Sequence, residues 1–190
     1  MEGKNNIVFG FLFLVLTASL GPYMVVELLP SVEEATIKKQ EHLSALQLAI
    51  SSEFENAETL EDMTVEEIAK GNSQAIMAIN TSLNARLTVN TIKGGPHAHG
   101  NLEAILNILV GILLGLLSLP SLYKQILSLI FIAGTVMHAG MAFLGVFGFA
   151  WAGTLLGTGI GPVLILAGLF FMSIATFFGY KQMPNKLPLS

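Results

Sequence analysis

The stretch from His97 to Leu119, HAHGNLEAILNILVGILLGLLSL, decides how this chain is read. It opens on two histidines, a glycine and an acid, and then carries no charge until Lys124. A helix rises about 1.5 Å per residue and a hydrocarbon core is roughly 30 Å thick, so about 20 apolar residues cross it. This run is long enough to cross, and its polar head falls where the helix meets interfacial water.

Outward from it lie three more apolar runs. The first is Ile7 to Leu29, with Lys4 before it and Glu27 near its far end. A secretory signal also has a short basic start and an apolar core, but no A-x-A-like site follows and Pro22 stands where cleavage would fall. We read an uncleaved span, loosened at Gly21-Pro22 because proline removes a helical hydrogen bond. The others run from Ile126 to about Val146 and from about Val163 to Tyr180. Composition agrees: 12% of the 190 residues are charged, against roughly 25% in soluble domains, and the mean hydropathy is +0.68. There is no cysteine, which removes disulfides, thiolate metal sites and thiol nucleophiles. A net charge of −4 argues against nucleic acid as a partner.

Between Pro30 and Pro96 the composition turns hydrated and acidic. Ser31 with Glu34, and Thr64 with Glu67, match the capping box that opens a helix, predicting helices over about Val32–Asn56 and Val65–Asn90. Ile76, Ile79, Leu83 and Leu87 give the second helix an apolar stripe, and Leu43, Leu46 and Ile50 give the first a shorter one. Packed on each other, they make an antiparallel hairpin, with His42 left among solvated charges. The expected fold is therefore an all-α polytopic membrane protein with four transmembrane helices. Residues 1–29 are the first span, 30–96 an extracytoplasmic helical hairpin insert, and 97–190 a three-helix transmembrane bundle with a cytoplasmic tail. Basic residues in short loops stay inside, so Lys4, Lys124, Lys181 and Lys186 place both termini in the cytoplasm. Trp151, in the outer glycine-rich piece, suits the headgroup level. Asn80-Thr81-Ser82 fits a glycosylation acceptor, a short and common pattern.

The candidate chemistry sits at the head of the organising stretch. His99 and Glu103 are one helical turn apart on one face, with His97 just before them. His138 lies inside the third span, about 12–18 Å below its outer end by helical rise. On that count it meets His99 only if the span ends near Phe143 and Gly145–Gly161 is irregular. Glu27 is the remaining candidate. An ionisable residue within a span costs roughly 2.5–3.5 kcal/mol, which makes it a functional hypothesis. Three imidazoles and a carboxylate (His97, His99, His138, Glu103) suit zinc, copper or iron. Alternatively, His99 and His138 are axial ligands of a b-type haem, with Gly100, Gly134, Gly140 and Gly145 making room. Set against these are interfacial or hydrogen-bonded histidines, a snorkelling Glu103 and an ordinary interfacial Glu27. Met137 and Met141 read as packing rather than copper ligands, and Gly111 with Gly115 as a helix-packing G-x-x-x-G. There is no phosphate loop, Ser-His-Asp set or H-E-x-x-H motif for hydrolytic or nucleotide chemistry.

The run NLEAILNILVGILLGLLSL, Asn101 to Leu119, resembles the small four-span membrane proteins related to hydroxylaminobenzene mutase. Leu102, Glu103, Leu106 and Asn107 match their pattern, and Asn101 stands where they carry a histidine. The resemblance implies a four-span architecture from the second span onward. Two functions follow from the whole reading. The preferred one is an accessory or structural subunit of a larger membrane complex, partnered by the bilayer and by other membrane subunits. The alternative is a metal- or haem-binding redox or isomerising enzyme. A proton or ion route through His138 and Glu103 ranks last, because the sequence displays no continuous polar track.

Overall fold

The computed structural model describes residues 3–56 and 59–180, and every regular element among them is a helix. Four helices are long and apolar enough to cross a membrane: Lys4–Ser51, Val65–Leu116, Ser121–Val146 and Ile160–Gly179. Lys181, Lys186 and the expected cytoplasmic tail lie outside the described residues. Three of the four helices carry a wide π-helical turn, at Met24–Leu28, Lys93–His97 and Val136–Gly140. Proline accounts for two of them: Pro30, just after the first, and Pro96, within the second, lack an amide hydrogen and crowd the preceding turn, while Pro22 lies in the short helix α2 (Leu20–Tyr23). At the second turn Gly95 leaves helical φ/ψ, so two helices meet there across a kink. Helix therefore continues through the expected border at Leu29, while the kink at Gly95 falls beside the one at His97. The chain divides instead into two compact units, Met1–Gly21 with Ile92–Ser190, and Pro22–Thr91.

In the first unit, α1 (Lys4–Ala18) packs on α5 (Ala98–Leu116) through glycines. A Cβ on Gly10 would stand 2.7 Å from the Ala104 carbonyl oxygen, and one on Gly111 2.6 Å from that of Gly3, so only glycine allows this approach. Gly115 is exposed. Among the described contacts the close-packing row of α5 is Gly100, Ala104 and Gly111, the last being the first glycine of the expected G-x-x-x-G. α5 turns through Leu117–Pro120 into α6 (Ser121–Thr135), and α9 (Ile160–Gly179) closes the bundle. Val110, Leu114, Leu127, Phe131 and Met172 form its core. Leu12, Val15, Leu102, Leu129, Phe170 and Phe177 are exposed on the outside, as suits a surface solvated by lipid. Between α7 (Met141–Val146) and α9, the glycine-rich piece is the short helix α8 (Ala150–Gly157), set between turns where Gly148 and Gly159 take φ of 87° and 71°.

In the second unit, α3 (Leu29–Ser51) and α4 (Val65–Ile92) run antiparallel. The Arg86 guanidinium donates to the Thr36 hydroxyl at 3.3 Å near one end, and Leu46 meets Gly71 towards the other. The Thr64 box forms as expected: the Thr64 amide and hydroxyl each donate to Glu67 Oε2 at 2.8 Å, and the Glu67 amide returns to the Thr64 hydroxyl at 3.2 Å. The Ser31 box does not. The helix is already running at Ser31, whose hydroxyl donates to the Leu28 carbonyl, so no free amides remain there to cap. Glu34 pairs instead with Lys38 at 2.6 Å, and the hydrogen bond and charge of that ammonium lower the Glu34 carboxyl below its ordinary range. Helix α4 also turns an unexpected face inward. Gly71, Ala75, Ala78, Ser82, Ala85 and Val89 form its covered side, while Ile76, Leu83 and Leu87 are exposed. His42 is half-buried and lines the space between α3 and α4 beside Gln74, rather than standing among solvated charges.

Candidate functional site

His99 lies 17 residues before the end of α5 at Leu116, and His138 17 residues after the start of α6 at Ser121. Two antiparallel helices joined by a short turn put residues equally far from that turn at one level. The contacts shift that register by about one turn: the Asn107 amide donates to the Thr135 hydroxyl at 2.8 Å and Glu103 meets His138 at the next step, which leaves His99 one helical turn beyond Glu103. The level therefore does not depend on where the third span ends. Helix α7 continues to Val146, past Phe143, and Ala150–Gly157 is helical, yet the two histidines come together. Counting depth from the inner turn is the nearer measure, because the register is set between α5 and α6 and not at the outer end.

His99, Glu103 and His138 each place one ligand atom within 4.8 Å of the others. The imidazole rings stand 5.1 Å apart between centroids, tilted by 58°. His138 sits in the wide turn Val136–Gly140, where an extra residue per turn re-aims side chains. Gly161 of α9 backs that turn: a Cβ on it would come within 2.6 Å of the His138 amide nitrogen. Glu103 is 5% exposed, and its Oε1 lies 2.5 Å from His138 Nδ1. A carboxylate only accepts, so Nδ1 carries the hydrogen and Nε2 the lone pair, an assignment made from the partner. Glu103 Oε2, fully enclosed, has no hydrogen-bond partner.

Below the group runs a buried polar chain that ties α1, α5 and α6 together. The Ser128 hydroxyl donates to Asn6 Oδ1, Asn6 Nδ2 to Asn107 Oδ1 at 3.0 Å, and Asn107 Nδ2 to the Thr135 hydroxyl at 2.8 Å and the Glu103 carbonyl at 3.0 Å. These donations run towards Glu103, and Asn6 Nδ2 also donates back to the Ser128 carbonyl at 3.3 Å. Aligned bonds of this kind polarise one another. Ser128 also lines a polar pocket of about 510 Å³ with Asn5, Ser121, Lys124 and Gln125. The sequence reading passes over Asn6 and Thr135, and finds Asn107 only through the resemblance. Their available signal was an amide or hydroxyl inside an apolar helix, which is costly unless paired.

The remaining candidates lie elsewhere. His97 Nδ1 donates to the Thr17 carbonyl at 3.1 Å, and the Thr17 hydroxyl reaches Asn101 Oδ1 at 2.8 Å, so His97 belongs to the α1–α5 contact and not to the group. Glu27 is exposed in the turn Met24–Leu28, within the second unit. Met141 is buried in the bundle, in keeping with packing. Gly100 and Gly134 leave no room for a macrocycle, since Thr17 fills the space beside one and Ile165 that beside the other. No protein family, curated protein or solved structure matches this chain.

Proposed function

We propose that this chain is a multi-pass membrane protein that holds a transition-metal ion between His99, Glu103 and His138. The observation that carries the reading is the group itself, three ligand atoms within 4.8 Å of one another, one of them on an enclosed carboxylate whose Oε2 makes no hydrogen bond of ordinary geometry although the Thr135 hydroxyl and Ala139 amide face that carboxylate. Leaving such an atom unpaired is expensive, and a cation held beside two imidazoles offsets that cost. If Glu103 instead only orients His138, the pair repeats the carboxylate–histidine arrangement that fixes a metal-binding tautomer, with Nε2 free to ligate. Two imidazoles and a carboxylate suit zinc, iron or copper and leave coordination positions open, with exposed His99 giving access to a substrate. A small ion fits better than haem, because a macrocycle would have to pass between rings 5.1 Å apart with Glu103 at their side. The chemistry assigned to the bound ion is redox or isomerising. In the membrane, Lys4 and Lys124 favour a cytoplasmic inner end, with the histidine group and the Pro22–Thr91 hairpin on the extracytoplasmic side.

The test is metal content and optical spectrum on protein purified in mild detergent, with Co²⁺ as the coloured probe. About one equivalent per chain is expected, lost in His138→Ala and sharply weakened in Glu103→Gln and His99→Ala. Protein that takes up no ion, or variants that bind as well as the parent, would overturn the proposal. A second reading, membership in a larger membrane assembly, is supported by the uncovered residues Ile76, Leu83 and Leu87 of α4. It predicts migration above the monomer on native gels.

A further inference from the structure

Helix α4 carries two seams. The covered one, Gly71, Ala75, Ala78, Ser82, Ala85 and Val89, steps by four and three residues and faces into its own unit. A second, Ser73, Ile76, Asn80, Leu83, Leu87 and Asn90, steps by three and four and is wholly exposed, its three large residues at 61–66%. At roughly 100° per residue the two seams lie about 150° apart round the helix. A helix that spends its small residues inward and its large apolar residues outward has a second face still to cover.

We propose that this face pairs with the same face of a second copy, as a short parallel two-stranded coiled coil. Three observations select that occupant. The seam holds the 3-4 spacing for two and a half heptads, which is the pattern of a helix partner and not of a globular pocket. Asn80 falls at an a position with Leu83 at the following d, and an a-position asparagine specifies register and two-strandedness by pairing with its own copy. In a parallel pair the register that brings Asn80 to Asn80 also brings Leu83 to Leu83 and Asn90 to Asn90. Lipid is the wrong cover, because the side-chain amides of Asn72, Asn80, Asn84 and Asn90 on the uncovered side would lie unpaired in hydrocarbon. Tethering in one bilayer raises the effective concentration, which lets a short seam suffice.

The absence of cysteine makes the test clean. Leu83→Cys and Leu87→Cys, oxidised in intact membranes, are expected to cross-link into dimers at least five-fold more than Thr88→Cys, an exposed residue off the seam. Adding Asn80→Asp to Leu87→Cys sets two carboxylates face to face and is expected to cut the yield several-fold. Since all these positions are exposed, the variants keep the monomer's contacts, and helix content checks this. Equal cross-linking at Thr88, no cross-linking at any position, or adducts only with a different protein would each overturn the proposal. Two differently tagged copies that fail to co-purify would overturn it independently.

Discussion

Asn6 and Asn107 are 101 residues apart in sequence, lie on α1 and α5, are completely buried, and hydrogen-bond to each other at 3.0 Å. In a medium without water, an amide left alone is expensive, so this pair holds α1 in one register against α5 and, through Thr135 and Ser128, against α6. Replacing either residue orphans the other. We expect Asn6→Leu to cost about 1–2 kcal/mol of stability, with Asn107→Leu costing more because it also releases the Glu103 carbonyl and Thr135. Thermal unfolding in detergent, with the double variant, checks this. Losses that simply add would show that the two amides do not act as a pair.

Gly161 is the seat of His138. An added Cβ meets backbone as well as side-chain atoms of His138 and Met137, and backbone cannot swing away. Gly161→Ala is expected to cost on the order of 1–3 kcal/mol and to weaken Co²⁺ binding at least ten-fold. Gly153→Ala, where nothing lies within 4 Å, should change neither. Equal behaviour of the two would mean that α9 does not set the wide turn.

Glu103→Gln separates stability from binding. The carboxylate is enclosed with one oxygen unpaired, so a neutral amide is cheaper to bury when no ion is present. Metal-free Glu103→Gln should melt above the metal-free parent, while added Co²⁺ raises the melting temperature of the parent alone. A variant that melts lower without metal would place Glu103 in a purely structural role.

At the start of α4 the sign of a pH effect can be worked out. The Thr64 amide and hydroxyl bond the Glu67 carboxylate and hold its pKa below the ordinary glutamate value. A depressed carboxyl contributes above the unfolded value of about 4.3, and the contribution fades as pH falls through the lower folded value. Amide exchange over the first turn, Val65 to Ile68, should therefore speed up in Glu67→Gln at pH 7, and the difference from the parent should shrink as the pH falls through the lowered value. The same acceleration at every pH would mean that the charge is not what caps the helix.

Local pattern was legible from the start. Apolar runs of spanning length, the Thr64–Glu67 cap and the shared face of His99 and Glu103 all follow from the 3.6-residue period and from the hydrogen-bonding needs of a helix end, which involve near neighbours alone. The same local signals misled at Ser31, where the cap pattern is intact but an unbroken helix through Pro30 leaves no free amide to cap. They also misled on α4, where the expected packing stripe leaves Ile76, Leu83 and Leu87 exposed. Only packing shows that the small residues Gly71, Ala75 and Ser82 are the covered ones.

What the sequence by itself determined is an all-helical chain with four apolar helices and an ionisable group at the head of one of them. The tertiary structure decided which ionisable residues meet. His138 reaches Glu103, and with it His99 one turn further along α5, because the Asn107–Thr135 pair sets the antiparallel register of α5 and α6. His97, two residues from His99, is drawn away by the Thr17 carbonyl because α1 approaches α5 over glycines at that point. Spacing along the chain sets the face a side chain occupies. Its partner depends on how closely another helix approaches, a distance set by residues as far off as Gly10 and Gly161.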